Sequence, residues 1–376
     1  MDSKQIMPDS RQINIGELYS DAVNLLKQLI AIPSFSKEED NTANCLEQFF
    51  LHKNIKANRY LNNVWATNKH FDCSKPTILL NSHHDTVKPN KGYTLNPFEP
   101  VEKDGKLFGL GSNDAGGPLV CLISAFVYYY EAQLPFNILF AGTAEEEISG
   151  KNGVEILLGH LPKIDVAIVG EPTQLNMAVA EKGLLVLDCV AHGKAGHAAR
   201  DEGINALYIA VKDIEWLSSY EFPKVSTLLG PVHIAVTSIN TENKTHNIVP
   251  SQCSFLVDVR VNELYSFEEV ISIIKQNIKS ELQPRSIRLK SSYIDTNHPL
   301  IKAGTRMGFS SYGSPTSSDM ALMDFPSLKI GPGDSARSHT ADEYIHLNEI
   351  REGIKTYIEL LKNYGEEVKT TENETT

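Results

Sequence analysis

The sequence has few cysteines and none that pair. Cys45, Cys73, Cys121, Cys189 and Cys253 are odd in number and far apart, and no Cys-x-x-Cys occurs. That argues against a thiolate zinc site or a dithiol redox motif. We read five reduced thiols, with Cys121 and Cys189 serving as core residues in apolar surroundings. Long apolar runs are also missing: none approaches the ~20 residues that span a bilayer. Basic residues are in deficit, 35 against 47 acidic, for a net charge of −12. This argues against nucleic acid or an anionic membrane as partner, since both call for basic patches. Met1 to Asn14 lacks the apolar stretch of a secretory signal, so the expectation is a cytoplasmic protein. No tandem repeat is present.

What the sequence does contain is ordinary for a soluble globular protein: 376 residues, 41% hydrophobic and 22% charged. At ~150 residues per domain, this length suggests two or three domains. In the first half, Leu18, Ala22, Leu25, Leu26 and Leu29 mark an amphipathic helix, and residues 38–51 suggest a second. Residues 77–80, 137–141 and 166–169 read as short apolar strands, with a buried helix over 118–132. Short apolar strands between helices predict an α/β fold with a parallel or mixed sheet covered on both faces.

From about Gly183 the pattern alternates. Strands at 185–189, 232–239 and 254–261, helices at 205–218 and 266–282, and a last strand at 287–291 give the order β-α-β-β-α-β. That order is the ferredoxin-like α+β arrangement, and it interrupts the first pattern. The chain then returns to helices at 300–309 and 318–323, a strand at 327–330 and a helix at 347–364. The expected division is 1–180 for the first part of one domain, 181–292 for an inserted domain and 293–376 for the remainder. Residues 365–376 are polar and predict a short disordered tail.

Four polar segments follow apolar strands, where open α/β sheets place their sites. The first is Asn-Ser-His83-His84-Asp85. In an extended chain His83 and Asp85 share a face, so His83 is a candidate ligand with Asp85 fixing its ring. A polar strand end is the alternative. The second is Gly-Ser-Asn-Asp114-Ala-Gly-Gly, where Asp114 is either a helix cap or a carboxylate able to bridge two metals. The third is Ala-Glu145-Glu146-Glu147. Three adjacent carboxylates repel one another unless solvated or neutralised by a cation; one would act as base and its neighbour as ligand. The fourth is Gly-Glu171-Pro. Imidazole and carboxylate ligands without cysteine suit catalytic zinc, cobalt or manganese.

As an ordered set, these motifs resemble the co-catalytic zinc aminoacylase and carboxypeptidase family, over about Leu18 to Leu361. That family includes acetylornithine deacetylase and succinyl-diaminopimelate desuccinylase. The resemblance implies a mixed-sheet zinc-exopeptidase-like catalytic domain and an inserted ferredoxin-like lid that forms a homodimer. It implies two Zn2+ per subunit, with Co2+ able to substitute. His83, Asp114 and Glu171 then match ligands of one metal. Asp114, as bridge, and Glu147 match the other, together with His339 in Gly-Pro-Gly-Asp-Ser-Ala-Arg-Ser-His-Thr. Glu146 matches the general base and Asp85 the group behind His83. His197, in His-Gly-Lys-Ala-Gly-His, matches a residue that reaches the partner's site. Asn247 and Arg260 match substrate-binding positions. The pattern departs at Glu145, where Asp is more usual, at the Ala-Gly-Gly after Asp114, and at His84; no ligand is lost.

The Gly-Pro-Gly-Asp-Ser and His-Thr-Ala-Asp-Glu-Tyr runs resemble the acetylornithine deacetylase branch. The activity this implies is removal of an acyl group from a small N-acyl amino acid, N-acetylornithine first, in arginine biosynthesis. The alternatives are an N-acetylcitrulline or N-succinyl-amino-acid deacylase (succinyl-diaminopimelate desuccinylase included) or a metallo-carboxypeptidase or dipeptidase. A metal-bound but silent binding protein is the reading from outside the enzymes.

Overall fold

The computed structural model describes residues 14–200 and 202–375. The segment read for a leader lies almost wholly outside them, in residues 1–13. The described chain forms two compact units. One runs to Val179 and resumes over Ile294–Tyr312 and from Ser318 onward. The other is Ala180–Tyr293 with a short return, Gly313–Ser317; the sequence pattern places that return with the last segment instead. No helix among the described residues is long and apolar enough to cross a membrane.

The first unit is built on a mixed sheet. Six neighbouring strands of that sheet run in the order Asn58–Tyr60, Asn63–Thr67, Asn137–Thr143, Thr77–His83, Val166–Val169 and Ser327–Lys329. The last four are mutually parallel, so their carboxyl ends share one edge. Thr77–His83 and Asn137–Thr143 are buried at every position. Hence they read as continuous apolar runs rather than alternating ones. The helix Gly117–Tyr129 opens with Pro118 in its first turn and is buried on nearly every residue. Tyr129 Oη donates to Ile358 O at 2.9 Å, fixing it to the C-terminal helix. The helix Ile15–Ile30 buries Leu18, Ala22, Leu25, Leu26 and Leu29 on one stripe.

The expectation for the C-terminus is corrected. The last helix runs Leu347–Thr375, through the stretch expected to be a disordered tail. Tyr364 packs edge-on to Phe136, with ring centroids 5.0 Å apart, and Val368, one turn later, is also buried. Arg306 pairs with Glu366 at 3.0 Å and with Glu367. Continued apolar spacing and an ion-paired flank carry the helix across Gly365. Residues 318–323, expected to be helical, form only a 3₁₀ turn, Asp319–Leu322.

The second unit is the ferredoxin-like sandwich. Its antiparallel strands run His233–Asn240, Gln252–Val261, Gly183–His192, Glu281–Pro284. Burial alternates along the two central strands, and the helices Ala206–Ser219 and Phe267–Asn277 contribute to the core on the buried side. Here too an expectation is corrected. The helix begins at a Ser266–Glu269 capping box but ends at Asn277, and the fourth strand is Glu281–Pro284, not 287–291. Buried Asp213 explains the break. It accepts from Lys279 N at 3.1 Å, Ser280 N at 2.8 Å and Ser280 Oγ at 2.6 Å, turning the chain into the strand.

Candidate metal centre

Each parallel strand delivers polar residues to the same edge of the first unit. His83 ends its strand, and the chain stays extended beyond it. His84 therefore faces the opposite side. Its Nε2 donates to Asn62 O at 2.9 Å, and its Nδ1 meets the Thr42 hydroxyl at 2.9 Å. Burial lowers its pKa to about 4, so it is a neutral core residue. His83 Nδ1 lies 3.0 Å from Asp85 O and 3.3 Å from the Asp85 carboxylate, leaving Nε2 toward the site. Asp85 also accepts from Ser36 Oγ at 2.7 Å, Glu146 N at 3.1 Å and Glu147 N at 3.2 Å. One buried carboxylate thus fixes both the His83 ring and the backbone of the acidic triplet.

The triplet splits three ways. Glu145 has φ +55°, a left-handed conformation unusual for a residue with a side chain. Its carboxylate turns aside to accept from Asn152 Nδ2 at 2.9 Å. Glu146 Oε2 comes within 4.0 Å of His83 Nε2. Glu147 Oε2 lies 2.9 Å from His339 Nε2. From the next strand, Glu171 Oε1 stands 3.8 Å from His83 Nε2.

Asp114 lies in the turn Ser112–Gly116 that leads into the buried helix. Its Oδ1 is 3.3 Å from His83 Nε2 and its Oδ2 is 3.6 Å from His339 Nε2. Two groups of ligand atoms result: His83, Asp114 and Glu171, and Asp114, Glu147 and His339. Within each, the atoms lie within 4.8 Å of one another, and Asp114 belongs to both.

The electrostatics fit a pair of cations. Burial pushes Glu146 well above the usual carboxylate range and Glu171 up to about 8, with His83 pulling the other way in each case. Burial also works against charge on His83, but hydrogen bonds to Asp114 and Asp85 outweigh it and hold its pKa well above the ordinary value. His339 is raised to about 9, chiefly by its bond to Glu147. Carboxylates crowded in this way are neutralised by protons or by metal ions, and one imidazole with two carboxylates per group is a donor set that suits catalytic zinc or manganese.

Two buried acids escape sequence reasoning. Asp319 Oδ2 accepts from Thr143 Oγ1 at 2.8 Å, and burial lifts its pKa to about 6. Its only signal is an acid after Ser318, which reads as a helix start. Glu343 accepts from three backbone N–H groups around Asp114, and no local pattern announces that. His197, Asn247 and Arg260 all belong to the second unit. His197 pairs with Ile248 across a two-stranded ribbon, and Asn247 O accepts from Ala198 N at 3.0 Å. Arg260, expected to hold a substrate carboxylate, has its guanidinium forked onto Asp258 at 2.9 and 3.2 Å.

A mixed α/β sheet whose strand ends gather two acid–imidazole groups around a shared aspartate defines a metal-dependent hydrolase of amide bonds. Residues 79–363 match the peptidase family M20/M25/M40, and the chain belongs to that family. Among its relatives, a succinyl-diaminopimelate desuccinylase from Wolbachia pipientis wMel is 25% identical over 384 residues, covering 92% of this chain and 93% of its own. In structure, a Staphylococcus aureus tripeptidase superposes with a TM-score of 0.73 at 20% identity, over 93% of this chain and 99% of that one. A Bacillus subtilis protein described as a dinuclear metal-binding peptidase superposes with a TM-score of 0.71 at 15% identity, over 93% and 98%. These two structural likenesses bear on the fold alone.

Proposed function

We propose that the protein hydrolyses the amide bond of an N-acyl amino acid, with two zinc ions held by His83, Asp114 and Glu171 and by Asp114, Glu147 and His339. The observation that carries this reading is the position of Asp114, one oxygen toward each imidazole. Such a pair, when bound, supplies Lewis acidity to the amide carbonyl and acidifies water. The protein's own groups do the rest. Glu146 stands outside both ligand groups, 4.0 Å from His83 Nε2, with its backbone held by Asp85. In this reading it takes the proton from the attacking water and returns it to the leaving amine.

Two substrates lead. The Gly331–Ser335 and His339–Tyr344 runs support N-acetylornithine, and so a place in arginine biosynthesis. The name of the Wolbachia relative supports N-succinyl-diaminopimelate, and so lysine biosynthesis. Both place the scissile nitrogen on an amino acid. The deciding assay uses zinc- and cobalt-loaded protein with N-acetylornithine, N-acetylcitrulline, N-succinylornithine, succinyl-diaminopimelate and two dipeptides, each with a chelator control. Chelator-sensitive amine release from one acyl amino acid is the expected result. Turnover of dipeptides alone would move the protein to the peptidases, and silence on all compounds would overturn the reading.

The proposal extends to the second unit as a homodimerising lid that supplies His197 as a donor to the developing oxyanion of the partner's site. Tyr208 and Val211, three apart on the helix Ala206–Ser219, are 67% and 50% exposed, Ile204 just before that helix is 56% exposed, and His233–Asn240 is an edge strand with an exposed end. Both features suit a self-complementary interface. His197→Ala should lower kcat far more than bound metal. Mixing it with inactive Glu146→Gln should restore turnover, because one site then regains both groups. No restoration after subunit exchange, or metal loss in step with kcat, would count against the role.

A further inference from the structure

We infer that Glu343 is a positioning residue for both cation sites, acting through the turn that presents Asp114. The inference rests on the two-cation reading above. Glu343 is 2% exposed. Its Oε1 accepts from Asn113 N at 2.8 Å and Asp114 N at 2.9 Å, and its Oε2 from Gly111 N at 3.1 Å. Its own carbonyl accepts from Gly109 N at 3.0 Å. One residue therefore grips the Gly109–Asp114 turn by side chain and backbone together.

The turn needs such a grip. Gly111 is left-handed at φ +74°, and Asp114 leaves helical geometry at φ −121°, ψ 99°. Two N–H groups close locally, Ser112 N onto Gly109 O and Gly116 N onto Gly111 O. Those of Gly111, Asn113 and Asp114 converge on a single carboxylate. Buried N–H groups deprived of an acceptor force the backbone to rearrange. A rearrangement here would move the one side chain that both ligand groups share. Glu343 also lies four residues after His339, so the same contact joins the His339 loop to the Asp114 turn. The Asn113 side chain adds a second tie in that loop, accepting from Asp334 N at 3.0 Å and donating to Asp334 O at 3.1 Å.

A residue acting on the shared ligand has a signature that one acting on a private ligand lacks: both equivalents weaken together. The test is zinc titration of wild type, E343Q and E343L against a chelating indicator, with circular dichroism to confirm folding. E343L should weaken both equivalents in parallel, by about 10–100-fold, as for other groups that orient metal ligands. E343Q should fall between, because its amide oxygen can still accept from Asn113 and Asp114 while its NH2 group faces Gly111. Raised zinc should restore the kcat of both variants with KM unchanged, and their circular dichroism should already match wild type without added zinc, which a general loss of stability would not produce. A folded variant with wild-type affinity at both equivalents, or weakened at only one, overturns the inference; if E343L does not fold, the same two outcomes in E343Q overturn it. A wild-type chain that takes up fewer than two zinc ions overturns the two-cation reading itself, and the role of Glu343 with it.

Discussion

Glu146→Gln should lower kcat by about 10²–10⁴-fold, the usual contribution of a positioned proton-transfer group, while both cation equivalents stay bound. The separation follows from the geometry. Glu146 belongs to neither ligand group, and what holds it is a backbone bond from its N–H to Asp85 that the substitution leaves intact. Glutamine keeps the shape and removes the ability to take up a proton. The neighbouring Glu147→Gln should behave differently, since Glu147 meets His339 at 2.9 Å within a ligand group. The measurement is kcat at saturating zinc together with metal counted by mass spectrometry. A Glu146→Gln protein that has lost a cation, or that turns over near the wild-type rate, would show that the base lies elsewhere.

Asp114→Asn should weaken both equivalents together and abolish turnover at ordinary zinc concentrations. A direct ligand matters at least as much as the groups that orient it, so a loss of about 100-fold or more at each site is expected. Asparagine keeps the backbone N–H that Glu343 accepts, so the turn survives and the charge alone is removed. Glu171→Gln, by contrast, should weaken one equivalent only, because Glu171 belongs to a single group. Stepwise titration with a chelating indicator distinguishes the two patterns. Loss of one equivalent from Asp114→Asn would mean that Asp114 does not bridge.

The parts of this site that are legible in the sequence are those fixed by short-range geometry. Apolar strands followed by acids announce where the strand ends meet, and the alternation of an extended chain separates His83 and Asp85 from His84. The division of the glutamate triplet is not legible. It depends on a positive φ at Glu145, a conformation that local propensity disfavours. Nor are Asp319 and Glu343. Each acts on a segment more than 170 residues earlier, Thr143 and the Asp114 turn, and only the folded topology joins them.

The remaining differences have local causes. The helix end at Asn277 is set by Asp213, which accepts hydrogen bonds from residues more than 60 positions away. The last helix outruns its expected end because the i, i+4 spacing of Tyr364 and Val368 outweighs the polar composition around them. The engagement of Arg260 by Asp258 is available in principle, since residues two apart on a strand share a face.

Two cations held around Asp114 should together make the site competent. The most direct measurement is the number of zinc ions per chain at full turnover of an N-acyl amino acid, read by titrating metal-free protein while following amine release. Activity, absent in the metal-free chain, should reach its plateau at two equivalents. A plateau at one equivalent, or turnover that persists without metal, would contradict a pair of cations at Asp114.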